Sequence, residues 1–231
     1  VDPVQPNINE FADPAKAAHK ALQVFTKDIH ARFRSPFQHQ WITSLFRHDN
    51  DLLIVARTGG GKSLAYLLPS LIFPKQQVLV IQPLKALVSQ TCRDLALHNV
   101  SAHQYAVGKP ISPDASVIVA LSDDAAHVHF INQLRQNTPF RVIIDEAIPL
   151  LEDTYRSYIA GVLNLRQVST RFIFTTGSLP PSQESTLMTS YFGMSSLKVF
   201  RESTFRPELQ VEVGQDALSS QRFLAHCNSL I

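Results

Sequence analysis

Five runs dominated by apolar residues punctuate the chain, and longer mixed segments separate them. The runs occupy residues 52–55, 77–81, 116–121, 141–144 and 171–175. Short, nearly continuous apolar runs of this kind are typical of strands that are buried on both faces of a parallel sheet. Two further runs, at residues 197–200 and 209–213, predict short strands late in the chain.

The segments between these runs carry helix signals. From Pro14 to about Arg34, apolar residues recur at helical spacing: Ala18, Leu22, Phe25 and Ile29. Pro83 is placed to open the helix after the second strand, and Ser122 is placed to cap the helix after the third. Strands that alternate with helices predict an α/β fold, with a mostly parallel sheet and helices on both faces.

The first strand leads directly into a glycine-rich turn at residues 56–63, Ala-Arg-Thr-Gly-Gly-Gly-Lys-Ser, and a helix-compatible segment follows it. A strand, a glycine-rich turn and a helix start form the context of a phosphate-binding loop. Lys62 would reach the β- and γ-phosphates, and the Ser63 hydroxyl would bind Mg²⁺. The remaining loop residues predicted to surround the nucleotide are Thr58, Gly59, Gly60 and Gly61. The alternative is a glycine-rich surface turn that happens to precede a lysine.

Two adjacent carboxylates, Asp145 and Glu146, follow the fourth apolar run. Asp145 is expected to hold Mg²⁺, directly or through water, and Glu146 to polarise the attacking water. Such a pair might merely cap a helix. Its position about eighty residues after the phosphate-binding loop, in a succession of strands and helices, favours a catalytic role.

An aromatic and basic segment at residues 33–38, Phe-Arg-Ser-Pro-Phe-Gln, lies some two dozen residues before the phosphate-binding loop. The amide of Gln38 can pair with both the amino group and the ring nitrogen of adenine. We therefore predict that Gln38, with Arg34 beside it, contacts the base of the nucleotide. The alternative is an exposed glutamine at a helix start.

Polar residues after three other strands are candidates for nucleic-acid contact. Basic and amide groups at the carboxyl end of a strand suit a sugar-phosphate backbone. The candidates are Pro83, Lys85, Gln90, Ser122, Thr176 and Ser178. The alternative for each is an ordinary strand-to-helix loop or a Ser/Thr turn.

Composition limits the possible classes of protein but does not identify the function. The 231 residues are 45% apolar and 17% charged, so a packed core is expected and global disorder is not. A net charge of +2 does not by itself argue for nucleic acid. Two widely spaced cysteines, Cys92 and Cys227, suit a reducing intracellular compartment. His127 and His129 lack a third ligand nearby, and we read them as surface or packing residues.

Taken in order, these segments resemble the first motor domain of a superfamily 2 helicase, and the closest resemblance is to the RecQ-like group. The likeness covers roughly residues 20–215. It rests on the adenine-reading segment 33–38, the phosphate-binding loop 56–63, the Pro-Leu-Lys-Ala-Leu segment 83–87, the acidic pair 145–146, the Thr-Gly-Ser-Leu-Pro-Pro segment 176–181, and the Phe-Arg-Pro segment 205–207. The resemblance implies a single RecA-like domain that binds ATP and Mg²⁺.

The chain departs from the RecQ-like pattern in two places. Ile148 stands where the group usually has a histidine that couples hydrolysis to the DNA-binding loop. The aromatic-rich loop that normally follows is reduced to Tyr155 and Arg156, and the single tryptophan, Trp41, lies elsewhere. Nucleotide binding is compatible with these changes, whereas coupling to unwinding is in question.

The resemblance implies an extended segment at residues 1–13, the ATP-binding domain at 14–215, and a segment at 216–231 that leads toward a second RecA-like domain in the full-length protein. It also implies an intracellular, nuclear ATPase that moves 3′ to 5′ on DNA. The alternatives are a non-catalytic helicase-like module, an RNA helicase of the DEAD-box kind, and a phosphate-loop kinase or transporter ATPase.

Overall fold

A computed structural model describes residues 13–47, 51–136, 139–147, 164–168, 171–185 and 197–203. The strands are β1 (Asp51–Val55), β2 (Val78–Gln82), β3 (Ala102–Gln104), β4 (Val117–Leu121), β5 (Arg141–Ile144), β6 (Phe172–Thr176) and β7 (Leu197–Arg201). The helices are α1 (Pro14–Thr26), α2 (Pro36–Leu45), α3 (Leu64–Ile72), α4 (Lys85–Leu97), α5 (Ser122–Ala125), α6 (Val128–Gln136) and α7 (Pro181–Ser185), with a 3₁₀ turn at Asn164–Gln167.

All seven strands form one parallel sheet in the order β3-β4-β2-β5-β6-β1-β7. Strands β5 and β6 are inserted between β1 and β2, which are consecutive in the chain. The carboxyl ends of β2, β5, β6 and β1 therefore lie side by side, and the loops that follow them share one edge of the sheet. Ligands of open parallel sheets bind at this edge.

Alternate strand residues face two separate cores, as expected for a sheet that is covered on both sides. Leu52 and Ile54 of β1 pack with helices α1 to α4, and Leu53 and Val55 pack with α6 on the opposite face. The predicted α/β fold with a parallel sheet and helices on both faces is confirmed.

Three local predictions were wrong. Helix α1 ends at Thr26, not near Arg34, because Lys27 adopts the left-handed conformation with φ 57°. The Gln23 side-chain amide then donates to the Ile29 carbonyl at 2.7 Å, and the Ile29 side chain is 74% exposed. The chain is therefore not helical where the apolar spacing suggested that it would continue.

The two predicted helix starts are also displaced. Helix α4 begins at Lys85, with Leu84 as its N-cap, so Pro83 precedes the helix and does not open it. Ser122 is the first residue of α5 and makes no capping hydrogen bond, because Leu121 takes the N-cap position. Its side chain points inward, and the residue is only 2% exposed.

Buried arginines secure the amino-terminal edge of the sheet. The guanidinium groups of Arg141 and Arg171 each donate to the Leu45 carbonyl at 3.0 Å, and Arg171 also donates to the Ser44 carbonyl at 2.6 Å. These carbonyls belong to the last turn of α2, where positive charge is favourable. Burial, with the like charge of Arg171 nearby, holds the pKa of Arg141 well below its usual range.

Some predictions fall outside the described residues. They concern residues 1–12, the strand at 209–213, the segment 205–207, and Ile148, Tyr155 and Arg156. No helix within the described residues has the length and apolar character needed to cross a membrane.

Candidate nucleotide-binding site

The glycine-rich turn connects β1 to α3 at the carboxyl edge of the sheet. Gly59 and Gly61 have φ of 80° and 82°, a conformation that residues with a Cβ rarely adopt. Gly60 is packed so closely that an added Cβ would lie 2.9 Å from the Arg57 carbonyl oxygen. The turn is thus built on glycine for two reasons, backbone conformation and lack of space.

Lys62, in this turn, contacts groups in the segments that follow β1 and β5. Its Nζ donates to the Ala56 carbonyl at 3.1 Å and lies 3.4 Å from Oε1 of Glu146. The lysine is therefore held by a backbone carbonyl and by the predicted catalytic carboxylate. A phosphate group that entered the turn would compete with both of these partners.

Glu146 occupies an unusual backbone position. Its φ is 49°, in the left-handed region that non-glycine residues seldom enter. Besides the ion pair with Lys62, its Oε2 accepts a hydrogen bond from the Gly177 amide at 3.3 Å. Strained backbone of this kind is concentrated at functional sites.

The carboxylate of Asp145 is held on several sides. Its Oδ1 accepts hydrogen bonds from the Thr175 hydroxyl and from the Glu146 amide, the latter at 3.1 Å. Its Oδ2 accepts a hydrogen bond from Nε2 of Gln82 at 3.0 Å. This network joins the ends of β2, β5 and β6.

Hard oxygen donors suit Mg²⁺, and the site offers one directly after β5 and one at the start of α3. Asp145 supplies a carboxylate, and Ser63 supplies a hydroxyl that makes no capping hydrogen bond to α3. The residues present therefore fit a magnesium ion accompanied by phosphate. Among the described residues, no three or more His, Cys, Asp or Glu side chains are grouped so that they could hold a metal ion.

Gln38 lies against the same turn from the side of α2. A Cβ built on Gly61 would lie 3.3 Å from Nε2 of Gln38, so the amide and the loop are in contact distance. Oε1 of Gln38 accepts a hydrogen bond from the Arg34 amide at 2.8 Å, and the residue is 6% exposed. The Arg34 side chain, in contrast, is exposed.

The candidate nucleic-acid residues divide by exposure. Lys85, Gln90 and Ser178 are exposed, and Pro83 is partly exposed. Thr176 is 1% exposed, and its hydroxyl donates to the Ser178 carbonyl at 3.0 Å. Like Ser122, it is not accessible to a strand in this conformation.

Sequence reasoning missed four residues of this site: Gln82, Thr91, Thr175 and Gly177. A Cβ on Gly177 would lie 3.7 Å from Nζ of Lys62 and 3.9 Å from Oε2 of Glu146, so the loop after β6 lies beside the phosphate-binding turn. A signal was present for Gln82 and Thr175, since they are polar residues in the last positions of otherwise apolar strands.

Burial of the phenol raises the pKa of Tyr66 to about 12, and the nearby carboxylate of Asp145 acts in the same direction. A hydrogen bond with Thr91 opposes that rise. Tyr66 follows the phosphate-binding turn on α3, and Thr91 lies on α4. The polar network therefore extends from Asp145 into the packing between these two helices.

Comparison with known proteins agrees with this geometry. Residues 35–187 match the model of the DEAD/DEAH box helicase family. An "ATP-dependent DNA helicase Q-like SIM" of Arabidopsis thaliana is 41% identical over 29% of this chain and 8% of its own length. An "ATP-dependent RNA helicase mss116, mitochondrial" of Aspergillus oryzae is 28% identical over 69% of this chain and 30% of its own length. The chain thus spans less than a third of either relative.

Solved structures share the fold at low sequence identity. The Hef helicase domain of Pyrococcus furiosus has a TM-score of 0.51 and 18% identity, over 66% of this chain and 35% of its own. A hypothetical ATP-dependent RNA helicase from Sulfolobus tokodaii has a TM-score of 0.56 and 17% identity, over 80% of this chain and 56% of its own. These likenesses support a RecA-like helicase fold. The match over residues 35–187 establishes that the chain belongs to the DEAD/DEAH box helicase family, whose members are ATP-dependent.

Proposed function

We propose that this chain is the ATP-binding half of a RecQ-like DNA helicase, in which hydrolysis drives movement along DNA. The observation that carries the nucleotide part is the meeting of Lys62, Glu146 and Gly177 at one edge of the sheet. In this proposal Lys62 exchanges Glu146 for phosphate oxygens when nucleotide binds. The freed carboxylate then polarises the attacking water.

The other roles follow from position. Ser63 and Asp145 hold Mg²⁺, Gln38 selects adenine, and the exposed Lys85 and Gln90 contact the nucleic-acid backbone. When bound, Mg²⁺ would neutralise part of the negative charge of the phosphates. The domain occupies residues 14–215 in this proposal, and a second RecA-like domain in the full-length protein completes the site.

DNA as the substrate, and with it a nuclear location, rests on the RecQ-like segments of the sequence and on the 41% identity to the Q-like relative over 66 residues. The match to an RNA helicase covers more of the chain, 69%, and supports RNA as the second candidate. Labelled oligo(dT) and oligo(U) of equal length, titrated with the chain in the presence of Mg-ADP or an unhydrolysable ATP analogue, distinguish the two. Tighter binding of oligo(U) than of oligo(dT) would indicate that the substrate is RNA and not DNA.

Calorimetric titration with Mg-ADP tests the nucleotide site. Lys62→Ala is expected to abolish binding, because it removes the charge that faces the phosphates. Lys75→Ala removes an exposed lysine elsewhere and serves as the control. A folded wild-type chain that binds no nucleotide would instead favour a non-catalytic helicase-like module.

A further inference from the structure

Gln82 occupies a position in the site that the nucleotide chemistry described so far does not use. It is the last residue of β2 and is 1% exposed. Its Nε2 donates to Oδ2 of Asp145 at 3.0 Å and to the Thr91 hydroxyl at 2.9 Å. One amide group therefore connects the predicted metal ligand with helix α4.

The chemistry of the partners fixes the orientation of this amide. A carboxylate is only an acceptor, so the atom that faces Asp145 must be the NH₂ group. Thr91 is 4% exposed and holds the second hydrogen of that group. Gln82 is thus held in one rotamer and one amide orientation.

The three donors around Asp145 divide unequally between its two oxygens. Oδ1 receives both the Thr175 hydroxyl and the Glu146 amide, whereas Oδ2 receives Gln82 alone within the described part of the chain. The Gln82 bond fixes the rotation of the carboxylate plane and leaves acceptor capacity on Oδ2. A carboxylate that is oriented in this way is ready to receive a cation or its water shell.

Stability alone does not account for this glutamine. Its Oε1 is buried and has no hydrogen-bond partner among the described residues. A buried acceptor without a partner costs about 1–3 kcal/mol. An unsatisfied buried polar atom in a native structure calls for an explanation, and a functional role is one such explanation.

We propose that Gln82 is a positioning residue for magnesium: it orients the Asp145 carboxylate toward the metal and anchors that orientation to α4 through Thr91. The inference rests on the proposed nucleotide function. It adds a residue to which the sequence patterns assigned no role. Such outer partners of a metal ligand are worth about 10–100-fold in metal affinity.

The test measures how much Mg²⁺ strengthens the binding of ADP. Calorimetry gives the dissociation constant of ADP in EDTA and in excess Mg²⁺, and the ratio of the two is called the Mg²⁺ ratio. Gln82→Met keeps the length of the side chain and removes both donors. It is expected to lower this ratio by about tenfold or more while leaving metal-free ADP binding unchanged, because Lys62 and the glycine-rich turn remain. Titration of the ADP complex with Mn²⁺, followed by electron paramagnetic resonance, should show the same loss directly.

Gln77→Met is the matched control. Gln77 precedes the same strand at its other end, is 6% exposed, and donates to the Ala115 carbonyl at 2.9 Å, far along the strand from Asp145. The Mg²⁺ ratio should be that of the wild type in this variant. If Gln82→Met does not fold, Gln82→Asn provides the test, since its shorter amide cannot span from Thr91 to Asp145.

The outcomes separate the two hypotheses. A wild-type chain that binds no ADP overturns the proposed function. A wild-type chain that binds ADP, with a Mg²⁺ ratio unchanged in the folded Gln82 variant, overturns the role of Gln82 alone. An equal loss in Gln77→Met also overturns it, because the effect would then be one of general destabilisation.

Discussion

The two edges of the sheet hold their charged side chains in opposite ways. At the amino-terminal edge, Arg141 and Arg171 are bonded to the carbonyls of Leu45 and Ser44, which are backbone groups of α2. At the carboxyl edge, Lys62 is held by a side-chain carboxylate, Glu146, and by one carbonyl.

The two edges differ in whether the partner of the charged side chain can be exchanged for another group. The Leu45 and Ser44 carbonyls are buried together with the arginines that bond to them, so an external ligand does not reach these bonds and they persist as long as the domain is folded. The pair of Lys62 and Glu146 is partly exposed, and an arriving anion can take the place of the carboxylate. One edge therefore serves stability, and the other is free to change partners.

The largest effect on stability is expected at the amino-terminal edge. Arg171→Met removes donors to two buried carbonyls and should lower the free energy of unfolding by about 3 kcal/mol. Urea denaturation measures it. Arg93→Met, which removes an exposed arginine on α4, is the control and should change little. A loss below about 0.5 kcal/mol in Arg171→Met would contradict the assignment of this edge to stability.

The next largest effect concerns the glycine-rich turn. In Gly60→Ala the new Cβ meets the Arg57 carbonyl, so the turn must shift. Losing one charge-assisted hydrogen bond to phosphate is worth about 1.5–3 kcal/mol, and Mg-ADP should bind about tenfold more weakly or worse. Gly108→Ala is the control, because it also perturbs a glycine turn in another loop, there through its φ of 80° and not through a clash. Equal affinity in both variants would argue against a phosphate site here.

Removing the carboxylate partner of Lys62 should have a smaller effect of opposite sign. Glu146→Gln weakens the ion pair that competes with phosphate, and such partly exposed pairs are worth up to about 1 kcal/mol. Mg-ADP should therefore bind up to about fivefold more tightly, as measured by calorimetry. Glu184→Gln, which breaks the pair with Arg201, is the control. Weaker binding in Glu146→Gln would show that no exchange of partners takes place.

The last expected effect is a pH dependence, which is confined to strongly alkaline solution. Because the pKa of Tyr66 is raised to about 12, the folded state retains the phenol proton more tightly than the unfolded chain does. The stability that this provides is present in full below pH 10 and is lost as the pH rises from 10 to about 12. The wild type should lose stability over that range relative to Tyr66→Phe, as followed by urea denaturation at each pH. Parallel curves would contradict the burial of a protonated phenol.

How far the sequence predicted the fold depended on the length of the signal. Each of the five apolar runs became a strand of the sheet within one residue at either end, because a strand covered on both faces has to be apolar throughout. Strand β3 (Ala102–Gln104) was not predicted, since it is short, half polar and at the edge of the sheet. The end of α1 was missed because a left-handed lysine stops it, and no glycine announced the stop.

The site was less predictable, because its contacts join residues that are distant in the chain. The motifs indicated Lys62 and Asp145, yet Gln82 and Asp145 are separated by 63 positions, and no spacing rule brings them together. Register between neighbouring strands does so, since Ile81 is paired with Ile144, one position before each of them. Polar residues at the ends of adjacent parallel strands are the signal that would have found this network.

Helix α2 is anchored at the amino-terminal edge of the sheet, so a tilt there moves its other end. Arg141 and Arg171 donate hydrogen bonds to its Leu45 carbonyl. Gln38 lies seven residues away, about 10 Å at 1.5 Å per residue. A tilt of about 6° at the anchored end would move the Gln38 amide by about 1 Å, enough to break the pair of hydrogen bonds that we propose Gln38 makes to adenine. Discrimination between adenine and guanine would then be a property that mutations can erode from the far side of the domain, without touching the nucleotide.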